Sequence, residues 1–99
     1  MKRRLSSAAE QAPDAALAAR WRVDAERQRQ DRKWGEQNHS DHRWLAILVE
    51  EVGELAQAIN DDDAGGPHAG TAEAELIQVA AVAVQWLECY ERRRWRRSE

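Results

Sequence analysis

Residues 44–59 have the sequence WLAILVEEVGELAQAI, and this stretch decides the fold. Its large apolar side chains recur at spacings of three and four residues, which is the period of an amphipathic α-helix. An ionised carboxylate on a buried face is costly unless it finds a partner or takes up a proton. The stretch therefore predicts a helix with a functional carboxylate at Glu51, in the middle of its apolar stripe. The stripe consists of Trp44, Leu48, Leu55 and Ile59.

The residues on either side of this stretch set the predicted bounds of the helix. Ser40 is a good N-cap, so the helix is expected over 41–60. Residues 61–70 contain three aspartates, three glycines and a proline, which end a helix and predict a loop. Another helix is expected to begin near Thr71 and to end at about Arg94.

The N-terminal third of the chain also predicts a helix, over 14–33, because it is rich in Ala, Arg, Glu and Gln. Leu17 and Trp21 are its expected apolar anchors, and Gly35 is its expected end. Residues 1–12 are expected to form a flexible basic tail. Strand-forming runs are scarce, so the predicted fold class is all-α with three main helices per chain.

The bulk properties fit one small domain of 99 residues. All fifteen Lys and Arg residues lie within 2–43 and 92–97, whereas ten Asp and Glu lie between Trp44 and Glu91. The single cysteine, Cys89, excludes an internal disulfide and a thiolate metal cage, and it suits a reducing compartment. No apolar run is long enough to span a bilayer, so a cytoplasmic protein without a membrane partner is expected.

Carboxylates recur on the apolar faces of the second and third helices. Glu54 projects near Glu51, and Glu50 lies on the flank of the same helix. Glu75 begins the apolar stripe of the third helix, and Gln78 follows about one turn later. Neither helix offers a Lys or Arg here, so the partner must come from the first helix, a second subunit or a metal. Oxygen ligands at i, i+3 spacing on two facing helices suit Mg²⁺ or Mn²⁺.

Two motifs, EEVGE at 50–54 and ELIQ at 75–78, together resemble the MazG-like family of all-α nucleotide pyrophosphohydrolases. The pattern of that family is E-E-x-x-E, a spacer, and E-x-x-D. The apolar context of both motifs is similar, and so is the upstream segment QDRKWGEQ at 30–37, which precedes the first motif in small members. The resemblance covers roughly residues 26–90.

The resemblance implies a single MazG-like helical domain over 13–95, followed by a tail at 96–99. It implies hydrolysis of a nucleoside triphosphate, often a non-standard or surplus one, to a monophosphate and pyrophosphate with Mg²⁺ as cofactor. Glu50 would orient a metal ligand or polarise the attacking water. The implied catalytic residues are Glu50 and Glu51, and the implied metal ligands are Glu51, Glu54, Glu75 and Gln78.

The departure from the family pattern is Gln78, which stands where the family has Asp. A glutamine coordinates through its carbonyl oxygen but brings no charge, so the expected metal affinity is lower. An alternative function follows from this change. The chain would then be a catalytically attenuated MazG-like helical dimer that binds a nucleotide or a protein partner.

A polar and aromatic cluster at the end of the first helix suggests a site for the nucleobase. An aromatic ring can stack on a base while amides bond its edge, but the same residues can equally anchor a helix terminus. The C-terminal run RRRWRR at 92–97 is expected to be a cationic helix end rather than a nucleic-acid site. The candidate substrate-binding residues are Lys33, Trp34, Gln37 and Asn38.

The third helix has a second apolar stripe that a three-helix chain cannot cover. We therefore expect a homo-oligomer, a dimer or a tetramer, with a four-helix bundle at its centre. The second stripe consists of Leu76, Ala80, Val84 and Leu87.

Overall fold

A computed structural model describes residues 14–98 of the chain, with side chains as far as residue 97. Three helices make up this part: α1 is Ala15–Trp34, α2 is Asp41–Ala64 and α3 is Ala72–Ser98. No strand occurs within the described range, so the prediction of an all-α fold with three helices is confirmed. None of these helices is long and apolar enough to cross a membrane.

Two parts of the predicted domain layout concern the ends of the chain. The expected flexible tail at 1–12 lies outside the described residues. At the other end, α3 continues to Ser98, beyond the expected end near Arg94. Residues 96–98 are therefore helical.

Local capping explains where the first two helices begin and where α1 ends. The side chain of Ser40 accepts a hydrogen bond from the backbone N–H of Arg43, as expected of an N-cap. Asp14 accepts one from Leu17 at the start of α1. Gly35, with φ of 70°, ends α1 as predicted, because such a φ disfavours other residues.

The C-terminal end of α2 differs from the prediction, because the helix continues through the aspartates to Ala64. Gly65 then adopts φ of 74°, a left-handed C-terminal cap. The backbone carbonyl of Asp61 accepts bonds from Gly65 and Gly66, and its side chain accepts one from the N–H of His68. The acidic run therefore anchors the loop, so the predicted loop at 61–70 was wrong over its first four residues.

The central element is α3, since both other helices pack against it. No Cα atom of α1 lies within 8 Å of one in α2. The arrangement is therefore open, and its apolar core is small. The buried apolar residues are Trp44, Ala58, Ala81, Val82 and Cys89.

A buried ion pair joins α1 to α3. Arg27 is only 6% exposed and donates to both carboxylate oxygens of Glu88, at 2.8 and 2.6 Å, and to Asp31 at 2.8 Å. The expected anchors Leu17 and Trp21 are 40% and 63% exposed. That expectation was wrong, because no Cα atom of α2 lies within 8 Å of one in α1 and α2 therefore does not cover its outer face.

Asp41 fastens the start of α2 to the C-terminal part of α3. Its carboxylate accepts bonds from the indole of Trp86 at 3.0 Å, the hydroxyl of Tyr90 at 2.7 Å and the guanidinium of Arg93 at 2.8 Å. These bonds, that from Arg93 foremost, lower the pKa of Asp41 to about 2. Arg93 also donates to the backbone carbonyl of His39. Part of the arginine run thus clamps the connection between α1 and α2.

We expect Asp41 to make the protein lose stability in acid. Its pKa falls from an ordinary value of 3.8 to about 2 on folding. Its stabilising contribution is therefore complete above the ordinary value and is lost as the pH falls through the folded value. Asp41→Asn should flatten this part of the profile, which thermal unfolding between about pH 5 and pH 2 measures. Asp63→Asn, at an exposed position of the same helix, is the control, and equal profiles for the two variants would contradict the assignment.

Candidate functional site

Three carboxylates from two helices meet on one side of the α2–α3 pair. The two helices are antiparallel, since Asp41 at the start of α2 bonds Tyr90 far along α3. The middle of α2 therefore faces the start of α3, and Glu51 and Glu54 approach Glu75. One oxygen of each carboxylate lies within 4.8 Å of the other two. We call Glu51, Glu54 and Glu75 the carboxylate cluster.

Burial and mutual repulsion raise the pKa of two members of the cluster. The pKa of Glu51 is raised first by burial and then by the charges of Glu54 and Glu75. The pKa of Glu75 is raised by burial and then by Glu54, while His68 opposes the shift. Among the described residues, no Lys or Arg forms an ion pair with the cluster. The unbalanced negative charge suits a cation.

The donor set fits a hard divalent cation. Mg²⁺ holds its oxygen ligands at about 2.0–2.1 Å, so two of them lie at most about 4.2 Å apart. Modest side-chain rotations would bring the cluster to that spacing. Carboxylate oxygens without imidazole or thiolate favour Mg²⁺, Mn²⁺ or Ca²⁺ over zinc and copper. The residues able to hold the ion are Glu51, Glu54 and Glu75.

The other two residues of the predicted metal and catalytic site are placed differently. Glu50 is exposed and does not belong to the cluster. The side-chain carbonyl of Gln78 accepts a hydrogen bond from Gln30 of α1 at 3.3 Å. The side chain of Gln78 is thus bonded to α1. To bind a metal ion, its oxygen would have to keep this hydrogen bond as well or give it up.

A cavity of about 170 Å³ adjoins the carboxylate cluster, between the three helices. Glu51 belongs to both features, because it also lines the cavity. Amide and aromatic groups supply most of the remaining lining, so the wall is polar without further charge. We call this space the amide cavity. Its other lining residues are Gln30, Trp34, Gln37, Trp44, Ile47, Gln78, Val82 and Gln85.

One polar atom of this lining has no partner. The indole N–H of Trp44 is buried and donates to no acceptor among the described residues. Leaving a buried donor unpaired costs about 1–3 kcal/mol, so native structures rarely tolerate it without a reason. The accessible area of this nitrogen is below 1 Å², so the N–H does not face the amide cavity.

The four candidate substrate-binding residues are divided by the structure. Trp34 and Gln37 line the amide cavity. The ammonium of Lys33 lies over the Trp34 ring, 4.5 Å from its centre, and so is close to a residue of the cavity wall. Asn38 does not line the cavity, and its side-chain oxygen accepts a bond from Arg92 at 2.9 Å. Asn38 thus helps to fix the α1–α2 connection to α3.

Sequence reasoning missed the contributions of Gln30 and Gln85 to the amide cavity. A signal was present, because Gln78 and Gln85 interrupt the longest apolar run of the chain. Their spacing of seven residues is close to two helical turns, which places both on one side of α3. Gln30 and Gln37 have the same spacing. The two pairs of glutamines are joined by hydrogen bonds, from Gln30 to Gln78 and from Gln85 to Gln37.

Comparisons with protein-family models, curated proteins and solved structures find no match to this chain. The functional assignment therefore rests on the chemistry of the carboxylate cluster and on the motif resemblance.

Proposed function

We propose that this chain is a Mg²⁺-dependent nucleoside triphosphate pyrophosphohydrolase, which converts a triphosphate and water to a monophosphate and pyrophosphate. The observation that carries the proposal is the convergence of Glu51, Glu54 and Glu75 on two helices without a cationic side chain to balance them. The resemblance of EEVGE at 50–54 and ELIQ at 75–78 to the MazG-like motifs supports the same function.

The residues of the cluster have a direct use in this reaction. Three carboxylates would repel a triphosphate on their own, so they act by holding the cation. Bound Mg²⁺ supplies the neutralisation of phosphate charge and helps a water molecule to ionise at neutral pH. By the resemblance, Glu50 would orient a metal ligand or polarise the attacking water. Trp34 and Lys33 present an aromatic face and a cation to the nucleotide.

Gln78 supports a second candidate, a catalytically attenuated relative that binds a nucleotide or a protein partner. Its amide brings no charge to the cluster, and its carbonyl already accepts a bond from Gln30. The cation would then be held by three carboxylates only, and weaker binding would lower turnover. This alternative keeps the helical assembly and the amide cavity.

Pyrophosphate release from a panel of ribonucleoside and deoxyribonucleoside triphosphates tests the proposal. We expect turnover that requires Mg²⁺ or Mn²⁺, stops with EDTA and produces the monophosphate and pyrophosphate. Absence of turnover for every triphosphate, at high enzyme concentration, would exclude the enzyme. Nucleotide binding without turnover would then favour the attenuated relative.

Restoring a carboxylate at position 78 should strengthen the metal site. We expect Gln78→Asp to tighten Mn²⁺ binding by about tenfold, because affinity rises with the charge of the ligand set. Isothermal titration calorimetry with Mn²⁺ measures the effect. Gln57→Asp, at an exposed position of α2, adds the same charge elsewhere and is the control. An equal gain in both variants would show a general charge effect and contradict a ligand position at 78.

We also propose that the chain forms at least a homodimer and works in the cytoplasm. Leu76 and Leu87 of the second stripe are 55% and 62% exposed, and Leu45 and Val49 of α2 are 50% and 59% exposed. So much exposed apolar surface is unusual for a small monomer and favours burial between copies. Sedimentation equilibrium measures the assembly, and a monomer at micromolar concentration would contradict it.

A further inference from the structure

We propose that the C-terminal end of α3 holds a second ligand site, which binds a small phosphate-bearing anion such as pyrophosphate. The site is a cleft of about 480 Å³ that is open to solvent, and we call it the arginine cleft. The inference does not rest on the proposed function, because other residues at the far end of α3 recognise the ligand. The residues that line the cleft are Asp41, Tyr90, Arg93, Arg94 and Arg97.

The length of α3 creates the cleft. The helix continues to Ser98, so Arg93 and Arg97 lie about one turn apart on the same face. Arg94 lies beside them, three residues before Arg97. A helix that ended near Arg94 would leave Arg97 without a fixed position. Three cations thus converge on one cleft, to which α2 contributes only Asp41.

The guanidinium of Arg93 is held in place before any ligand binds. It donates to Asp41 at 2.8 Å and to the backbone carbonyl of His39 at 2.7 Å, and it lies 5.0 Å from the centre of the Tyr90 ring. These bonds leave further N–H groups of the guanidinium for a ligand. A side chain that is fixed beforehand loses little conformational freedom on binding. Arg93 therefore offers its donors at a low entropic cost.

The cleft carries an excess of positive charge. Three arginines face a single aspartate in its lining, which leaves two positive charges for an anion. No carboxylate of the described residues pairs with Arg97. Arg94 pairs with Glu91, but the pair is exposed and contributes little. Guanidinium groups match the oxygens of a phosphate, and such charge-assisted bonds are stronger than neutral ones.

The surroundings favour a small anion over a nucleic-acid strand. Proteins hold a single strand with aromatic side chains that stack on its bases, beside an extended basic groove. Trp95 is 69% exposed, but it does not line the cleft. It is one residue from Arg94 and two from Arg97, and residues at these spacings do not share a helix face. The ring of Tyr90, which does line the cleft, already contacts Arg93.

The arginine cleft is too far from the carboxylate cluster to share a small ligand with it. Glu75 and Arg94 are nineteen residues apart on one continuous helix, which at about 1.5 Å per residue is about 28 Å. Three carboxylates without a metal also repel a phosphate anion. Binding in the absence of metal therefore reports on the arginine cleft rather than on the cluster.

Arg96 provides a matched control for Arg97. Arginines in the last turn of a helix also complement the negative end of its dipole. Arg96 and Arg97 share this role, because both lie in the last turn of α3 and both are exposed. Only Arg97 lines the cleft. Replacing either residue removes the same charge from the same helix end, so a difference between them measures the cleft.

Isothermal titration calorimetry with inorganic pyrophosphate tests the inference. The full-length protein is freed of metal and measured without chelator at about 0.15 M salt, where remote charges are largely screened. We expect the wild type to bind and Arg97→Gln to weaken binding by about tenfold or more, because a charge-assisted contact is lost. Arg96→Gln should weaken it by less than about threefold. Glu51→Gln should bind as the wild type does.

A second readout locates the bound anion. The indole N–H of Trp86 donates to the carboxylate of Asp41, which lines the cleft. In ¹H–¹⁵N spectra we expect the indole signal of Trp86 to shift as pyrophosphate is added. The signal of Trp21, which is exposed on α1, should stay in place. The variants Trp86→Phe and Trp21→Phe assign the two signals.

The outcomes separate this inference from the proposed function. No binding of pyrophosphate at millimolar concentration, equal losses in Arg97→Gln and Arg96→Gln, or loss of binding in Glu51→Gln would each overturn the arginine cleft. A protein that binds a single-stranded oligonucleotide but not pyrophosphate would overturn it in favour of a nucleic-acid site. Metal-free binding of pyrophosphate that Arg97→Gln alone weakens, without turnover of any triphosphate, would support the cleft and overturn the hydrolase.

Discussion

Replacing Glu51 with glutamine is expected to lower kcat/KM for pyrophosphate release by about a hundredfold or more. Glu51 is half-buried and belongs to both the carboxylate cluster and the wall of the amide cavity. The substitution keeps the shape of the side chain and removes its charge. The substitution should therefore weaken binding of the proposed cation and leave the packing of α2 on α3 nearly intact.

Glu73→Gln is the matched control for this experiment. Glu73 lies two residues before Glu75 on α3, but it is exposed and pairs with Arg22 of α1 rather than with the cluster. Exposed ion pairs contribute little to stability, so this variant should keep near wild-type activity. A Glu51→Gln protein as active as Glu73→Gln would remove the carboxylate cluster from the mechanism.

Mg²⁺ should stabilise the folded chain, and the gain should grow with pH. The pKa values of Glu51 and Glu75 are raised above their ordinary value of 4.5. A raised pKa gives stability that is complete below the ordinary value and is lost as the pH rises through the folded value. The metal-free protein is thus weakened near neutral pH by two ionised carboxylates, and a bound cation offsets that loss.

The size of the gain follows from ligand linkage. Free Mg²⁺ at about 100 times its dissociation constant adds about 2.7 kcal/mol to the free energy of unfolding. For a domain of this length that corresponds to a rise in Tm of about 10 °C or more. We expect this rise near neutral pH and almost none below the ordinary pKa, where protonated carboxyls no longer attract the ion.

The control for this measurement is the double variant Glu51→Gln, Glu75→Gln. It should melt higher than the wild type in EDTA near neutral pH, because the repulsion is gone, and it should lose the response to Mg²⁺. Differential scanning fluorimetry at several pH values records both effects. A Mg²⁺ response of equal size at acid and neutral pH, or one retained by the double variant, would contradict the metal assignment.

The carboxylate cluster could be anticipated because its evidence is local. A charged residue inside an apolar stripe is visible in a single helix, and Glu51 and Glu75 each show this pattern. The N-cap at Ser40 and the glycine at the end of α1 are also local and were predicted correctly. The pairing of α2 with α3 follows from the short loop between them.

The position of α1 could not be anticipated, because its buried ion pair with α3 joins residues far apart in the sequence. Arg27 and Glu88 are 61 positions apart, and neither lies in an apolar pattern that would connect them. The apolar side chains that seemed to anchor the helix, Leu17 and Trp21, are exposed. The amide cavity was missed for the same reason, since half of its paired glutamines lie on or just after α1 and half on α3.

The attachment of α1 to α3 alone also affects how fast parts of the fold open. The hairpin of α2 and α3 closes over a short loop, whereas α1 joins it through contacts distant in sequence. Local opening should therefore release α1 first, with faster amide hydrogen exchange than in the hairpin. Because α1 carries Gln30 and Trp34, each opening also uncovers the amide cavity. Detachment of α1 would then control access to the cavity.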